Sequence, residues 1–488
     1  MDILKIIKRY QIQLVFLIIF ITSLSLFYPS LNYYFFQDDW FHVVISRPKD
    51  VNDFFQLFSI RTDVIGWRPI SKQLFFLITD RFLNLNPFSA HVVIFSFHIL
   101  NGLLLFFLVR LLFRSTLTAI ITSYLYLTAS FHFVALSWLS AGEYIIGAFF
   151  WFLSLLSYFV YRARNKKRYY ILSFISFLLS LASTEFAVTL PIIILIIEIY
   201  RDFQKPEVVK KIASSLLILV PQLLVIAIYL VLRVFIFPIP AKETYQMVFN
   251  FSVIKSLLWY FLWFLNVPEV LKYQINFPNL LFFPDQTFWI PFKDYVFSLF
   301  STFLILLLAF TYLIMNNLSR RIFSMLIVAL VVFMVALSPV IFLPKHTFPN
   351  YLTIPAASLS IFMAFCLSVA LEQKKTLNFI LVILIITSWF ILSYTNLAFT
   401  KRTHWIPAED NLSRKFTKQI SDLYRKLPSN SKVLIYPATD QLRQSLMDQN
   451  ALRAIYNDLT LTTIYAKNIN DIKGIQESFY LFKYELNP

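Results

Sequence analysis

Residues 35–44, FFQDDWFHVV, and residues 66–71, GWRPIS, flank a polar amphipathic run that opens where the first long apolar segment, at about 11–29, closes. The adjacent carboxylates Asp38 and Asp39 are hard to place against lipid, since a charged side chain at the bilayer centre costs roughly 2.5–3.5 kcal/mol on insertion scales. They belong in water, in a cavity or beside cations. Trp67-Arg68-Pro69 supplies a cation on the same loop. The stretch from Asp38 to Arg68 is therefore expected to carry chemistry, with the other helices building a lipid-accessible cavity beneath it.

Working outward, the rest of the chain is strongly apolar. Of 488 residues, 58% are hydrophobic and 14% charged, and apolar runs near 20 residues long recur. Only helices or closed barrels satisfy their backbone groups in lipid, so the runs define an all-α polytopic membrane protein. Spans are expected at about 11–29, 90–109, 115–132, 143–161, 169–183, 186–200, 212–236, 296–315, 322–341, 352–371 and 377–397. The first is read as a retained helix, because it is long, flanked by aromatics and lacks a small-residue cleavage site. The one cysteine, Cys366, lies inside an apolar run. No disulfide framework or Cys-based metal site can form within one chain.

The formal net charge of +17 is a topology signal rather than a nucleic-acid footprint. Basic residues gather in short connections: Lys5, Lys8 and Arg9; Arg110 and Arg114; Arg162 through Arg168; Arg201 through Lys211; Arg320 and Arg321; Lys374 and Lys375. By the positive-inside rule these mark the cytoplasmic face. Eleven crossings from a cytoplasmic N-terminus then put the C-terminus outside the cytoplasm, in a multi-pass protein expected in the plasma membrane.

Two long external loops are expected within a transmembrane unit of residues 1–397. The first, 30–89, balances Arg47, Lys49, Arg61, Arg68, Lys72 and Arg81 against Asp38, Asp39, Asp50, Asp53, Asp63 and Asp80. Its segments Phe54–Ile65 and Ile70–Leu83 read as helices lying in the membrane interface. The second, 237–295, holds a Trp- and Leu-rich stretch, Ser252–Val267, read as interfacial or re-entrant. Residues 398–488 are richer in charge. Helical patterns at Glu409–Leu427 and Asp440–Tyr456 alternate there with apolar runs at Val433–Tyr436, Leu459–Tyr465 and Ser478–Tyr484, as in a small α/β domain.

Transfer of a sugar from a polyprenyl phosphate to a hydroxyl would need few parts. A carboxylate must come within about 2.6–3.2 Å of the acceptor hydroxyl, and a cation must stabilise the departing phosphate. Asp38 or Asp39 supplies the base; neighbouring side chains diverge, so both cannot face one hydroxyl. The other would orient it, pair with Arg68 or hold a divalent metal, Mg or Mn. The plainer alternative is an acidic pair capping a helix at Trp40. Arg68, Lys345 and His346 are the candidate phosphate binders, a guanidinium fork being matched to phosphate oxygens; snorkelling or loop solvation is their plainer role. Glu185, Glu143 and Trp67 are placed at the cavity and acceptor. Glu185 could instead be a simple hairpin tip. His91 and His98 share a helix face but have no third ligand nearby.

Taken together these residues resemble the GT-C glycosyltransferases, especially protein O-mannosyltransferase and TMTC-like membrane proteins. The likeness covers most of 1–397 and rests on motifs in a shared order. These are Asp38-Asp39 just after the first span, Trp67-Arg68-Pro69-Ile70-Ser71, Leu85-Asn86-Pro87-Phe88 with His91, and His98 through Asn101. Ser183-Thr184-Glu185 is similar to the family's Ser-Lys-Glu hairpin. Leu337-Ser338-Pro339 and Asn350 through Pro355 are similar to its late segments. The resemblance implies an inverting transferase that uses a polyprenyl-phosphate monosaccharide, with a first-loop Asp as base and a protein or glycan hydroxyl as acceptor. Thr184 stands where that family has Lys and Asn350 where it has Arg, and 398–488 shows no tetratricopeptide pattern. Phosphate binding would then have moved to Lys345 or His346, or activity would have been lost. A transporter or flippase of lipid-linked sugars, or an inactive membrane scaffold, are the competing classes; a transporter is disfavoured because ionisable residues gather at span ends and glycine is scarce.

Overall fold

The computed structural model describes residues 3–60, 66–202, 208–237, 243–276, 281–282, 286–468, 471 and 478–484. Helix α1, Ile3–Phe27, leads into the first loop, which carries α2 (Asp38–Ile45), α3 (Val51–Gln56) and α4 (Phe75–Arg81). Then follow α5 (Pro87–Phe113), α6 (Thr116–Leu127), α7 (Phe133–Ser137), α8 (Glu143–Arg164), α9 (Lys167–Leu181), α10 (Leu190–Asp202) and α11 (Val208–Phe235). The second loop holds α12 (Ser252–Phe264) and a two-residue hairpin of β1 (Ile275–Asn276) and β2 (Leu281–Phe282). Helices α13 (Gln286–Asn317), α14 (Arg320–Ile341), α15 (Ala356–Glu372) and α16 (Thr376–Thr403) complete the bundle.

Each expected span has its helix. Among the described residues seven helices are long and apolar enough to cross a membrane, and α6 with α7, bent by 48°, makes an eighth if the pair is one span. The others, α9, α10 and α15, have 15, 13 and 17 residues. At 1.5 Å of rise per residue α9 covers only about 22 Å of a hydrocarbon core about 30 Å thick. The hairpin between α9 and α10 carries Glu185, and α9 packs along α8. Serines make that close pairing possible: Ser154 and Ser173 exchange bonds across the α8–α9 interface, and Ser180 donates to the carbonyl of Gly147 at 3.1 Å.

The loops differ from the expected boundaries. Helix α3 ends at Gln56, and residues 61–65 of the expected Phe54–Ile65 helix lie outside the described residues. The 70–83 segment is a π-turn, Pro69–Leu74, running into α4. Phe75, Phe76 and Leu77 are buried, with Phe76 stacked on His42 at 5.4 Å. Helix α12 likewise buries Trp259, Tyr260, Trp263 and Phe264 against the bundle. Helix α13 begins at Gln286, well before the expected 296, and continues through Pro291.

The C-terminal part contains α17 (Trp405–Leu423), β3 (Lys432–Tyr436), α18 (Asp440–Ser445), α19 (Asn450–Tyr456), β4 (Thr462–Tyr465) and β5 (Tyr480–Lys483). The three strands are parallel in the order β4-β3-β5. Val433, Leu434 and Ile435 of the central strand are fully buried, as a strand covered on both faces requires. This small α/β unit has no separate core: Ile406, Phe416, Val433 and Leu442 belong to one hydrophobic cluster with Phe35, Phe36 and Trp40 of the first loop.

Candidate active site

Arg68 occupies the centre of the site. Its Nη1 donates to both carboxylate oxygens of Glu143 at 2.8 and 2.9 Å. Its Nε and Nη2 donate to Oε2 and Oε1 of Glu185 at 3.2 and 2.6 Å. Glu143 opens α8, where the positive end of the helix dipole favours a carboxylate, and Lys72 Nζ lies 3.3 Å from its Oε2. Lys72 also donates to the carbonyl of Ser140. The π-turn after Arg68 aims these groups, and Ile70 N–H and Ser71 Oγ donate to the carbonyls of Ala182 and Ser183 at 3.1 and 2.7 Å. Those bonds pin the first loop to the hairpin of Glu185. Gly66 makes the approach possible: its φ is +86°, and a Cβ there would come 3.3 Å from Glu185 Oε1 and 3.4 Å from Arg68 Nε.

The two aspartates have different surroundings. Asp39 is fully buried; its Oδ1 accepts from the N–H and Oγ of Ser140 at 2.7 and 2.6 Å, and its Oδ2 from the N–H of Phe36 at 3.3 Å. Burial pushes its carboxyl up to about 7, against the opposing pull of the Ser140 and Phe36 bonds and the Lys72 charge. Asp38 is half-buried, and its carboxylate has no hydrogen bond among the described residues. Its carboxylate acts on the phenol of Tyr245, which is also within electrostatic reach of Arg68, Glu143 and Glu185. Tyr245 thus links Asp38 to the Arg68 cluster.

His346 closes the other side. Its ring packs on Tyr245 at 4.3 Å, Phe348 at 4.9 Å and Tyr351 at 6.0 Å. Burial, with Arg68 and Lys272 nearby, pushes it down to about 4, so it is neutral at pH 7. Lys345, beside it, is exposed at the rim. Trp67 is an anchor: its indole donates to the Phe58 carbonyl at 3.0 Å. Of the sequence-based candidates, Asp38, Arg68, Glu143, Glu185 and His346 converge. Asp39 is buried beside them, bonded to Ser140 and within the charge of Lys72, which pairs with Glu143, and Trp67 bonds within its own loop. Burial pushes the Glu185 carboxyl up, but the charge and hydrogen bonds of Arg68 outweigh it, with Arg233 adding to them.

Four residues enter unannounced. Tyr144 and Tyr351 pack at 5.2 Å beside Arg68. Lys272 donates to the carbonyl and hydroxyl of Thr347. Arg233, near the end of α11, acts on Glu185, and its buried Nη1 has no hydrogen-bond partner among the described residues. A sequence signal for it existed: a cation at the end of a span where the charge bias leaves few. His91 Nδ1 and His98 Nε2 donate to the carbonyls of Leu136 and Leu127. Among the described residues no three His, Cys, Asp or Glu converge as a metal set, and the oxygens of Asp39 accept from Ser140 and Phe36. A cavity of about 20 Å³, room for one water, lies nearby between Ser130, Trp263, Glu269 and Asn396.

Fold and site define a multi-pass helical membrane protein with a half-buried carboxylate–guanidinium cluster at the face opposite its basic connections. No family model and no curated protein matches the chain. Among solved structures it is similar to ArnT from Cupriavidus metallidurans in the apo state, at 11% identity over 92% of this chain and 85% of that one, with a TM-score of 0.49. The same protein bound to undecaprenyl phosphate gives 12% identity, 95% and 89% coverage and a TM-score of 0.49. The archaeal oligosaccharyltransferase AglB from Archaeoglobus fulgidus, in complex with an inhibitory peptide and a dolichol-phosphate, gives 12% identity and a TM-score of 0.47, covering 94% of this chain but 65% of that longer one. At this degree of likeness the chemistry has to be read from the residues themselves.

Proposed function

We propose that the protein is an integral-membrane glycosyltransferase moving a monosaccharide from a polyprenyl-phosphate donor to a hydroxyl of a protein or glycan acceptor. Asp38 is the general base: it takes the acceptor proton as the acceptor oxygen attacks the anomeric carbon. The bond from that carbon to the phosphate oxygen breaks, and the polyprenyl phosphate leaves with the electron pair. The observation that carries the reading is the contrast within the acidic pair. The Asp38 carboxylate has no hydrogen bond among the described residues and acts on Tyr245, while Asp39 is buried and accepts from Ser140 and Phe36.

The cation for the departing phosphate is Arg233, aided by Lys345 at the rim, because its Nη1 lacks a partner among the described residues. Arg68 serves instead to hold Glu143 and Glu185 in place, and neutral His346 lends a hydrogen bond rather than a charge. The basic face is cytoplasmic, the site and C-terminus lie on the far side of the plasma membrane, and the carrier enters sideways from lipid.

Purified protein incubated with radiolabelled polyprenyl-phosphate sugars and hydroxyl acceptors, with and without chelator, tests this directly. Asp38→Asn is expected to abolish transfer with the unfolding midpoint unchanged. Full transfer by that variant would overturn the assignment.

A further inference from the structure

The turn that presents Asp38 is held in a conformation its own sequence does not favour. The N–H of Asp39 bonds the carbonyl of Phe36 at 3.2 Å, closing a β-turn with Gln37 and Asp38 at its centre. Gln37 has φ 49° and ψ −127°. Those angles fit the first central position of a type II′ turn, a place ordinarily taken by glycine because a Cβ crowds the backbone there. A side chain persists in such a conformation only where surrounding structure imposes it, and such positions cluster at functional sites.

The surrounding structure is the C-terminal α/β unit. Gln37 N–H donates to the carbonyl of Ser445, the last residue of α18, at 2.7 Å. Just before it, Tyr34 N–H donates to Asp410 Oδ1 at 2.6 Å, and just after it the Trp40 indole donates to Ser413 Oγ at 2.9 Å. Farther on, Arg47 donates to the carbonyls of Arg453 and Ala454 at 3.2 and 2.9 Å while paired with Asp80 at 2.6 Å. Ser445 is itself tied to Glu409 of α17 through its hydroxyl. Apart from the Arg47–Asp80 pair and the Ser445–Glu409 tie, every one of these bonds joins residues 34–47 to residues beyond 400, and Asp38 sits in the middle of the gripped segment.

We infer that the C-terminal α/β unit is a positioning element for the catalytic base: by imposing the left-handed conformation of Gln37, it aims Asp38 at the acceptor. Gln37 is a positioning residue acting through its backbone, a role that rests on Asp38 being the base. Two substitutions separate backbone from side chain. Gln37→Val places a β-branched residue where φ is positive and is expected to lower kcat about 100-fold with donor KM unchanged. Gln37→Gly, which deletes the side chain but suits the turn, is expected to restore kcat to within about threefold of wild type with no loss of thermal stability. Wild-type kcat in Gln37→Val, or a Gln37→Gly variant as impaired as the valine one, overturns the inference. If Gln37→Val does not fold, Arg47→Met decides: lowered kcat with faster deuterium uptake across 34–47 supports the inference, and faster uptake with wild-type kcat overturns it. Asp38→Asn in the same assay keeps the two readings apart, since its full activity would sink the base assignment whatever Gln37 does.

Discussion

Arg68 and Glu185 meet end-on as a two-pronged pair, Nε to Oε2 at 3.2 Å and Nη2 to Oε1 at 2.6 Å, while the remaining prong of the guanidinium holds Glu143. One planar cation thus binds two carboxylates from two different helical hairpins to the first loop. Removing one partner of a buried ion pair costs about 3–5 kcal/mol because the other charge is left uncompensated. Arg68→Met should lower stability by about that much, and Glu185→Gln in the same chain should recover part of it. Thermal unfolding of the purified variants checks the coupling; strictly additive effects would mean that the pair is not an energetic unit.

The carboxyl of Asp39 is pushed up to about 7 by burial, above its unfolded value near 4. A raised carboxyl keeps its proton in the folded state after the unfolded chain has lost it. Its favourable contribution is therefore complete below about pH 4 and lost as pH rises to about 7. Unfolding midpoints measured across that window should fall with pH in the wild type and show a shallower slope in Asp39→Asn.

His346 is held down to about 4 by burial and by the neighbouring Arg68 and Lys272 charges. It changes charge only below the range in which the protein would work. The pH–rate profile between 5 and 8 should keep its shape in His346→Gln even if the rate falls. An inflection near pH 6.5 present in the wild type and absent in the variant would show that the histidine titrates in the working range.

Gly147 of α8 faces the hairpin closely: a Cβ there would lie 2.4 Å from Thr184 Cγ2 and 2.9 Å from its Cβ. Overpacking of this kind costs about 1–3 kcal/mol. Gly147→Ala should destabilise by that amount and, because Thr184 adjoins Glu185, disturb the Arg68 pair. Adding Thr184→Ser, which removes Cγ2, should return part of the lost stability in the same unfolding assay.

Much of this architecture is legible in the linear chain. Apolar runs mark the helices of the bundle, basic connections mark one face, and the alternation after residue 400 announces a small α/β unit, because hydropathy and charge are properties of short windows. The burial of Phe76 within Ile70–Leu83 was not legible, for the complementary reason. An amphipathic segment looks alike whether its apolar side meets lipid or protein, and Phe76 found His42.

By itself, then, the sequence determined a many-helix membrane protein with an acidic, arginine-bearing loop after its first span. Tertiary structure alone decided that Asp39 is buried against Ser140, that Arg68 is bound by two glutamates, that Arg233 acts on Glu185, and that the C-terminal unit grips the turn before Asp38. The deciding bonds join residues 75, 101 and 117 positions apart. Burial and pairing at such separations belong to the packed chain, because they depend on which distant groups arrive and how much water leaves with them.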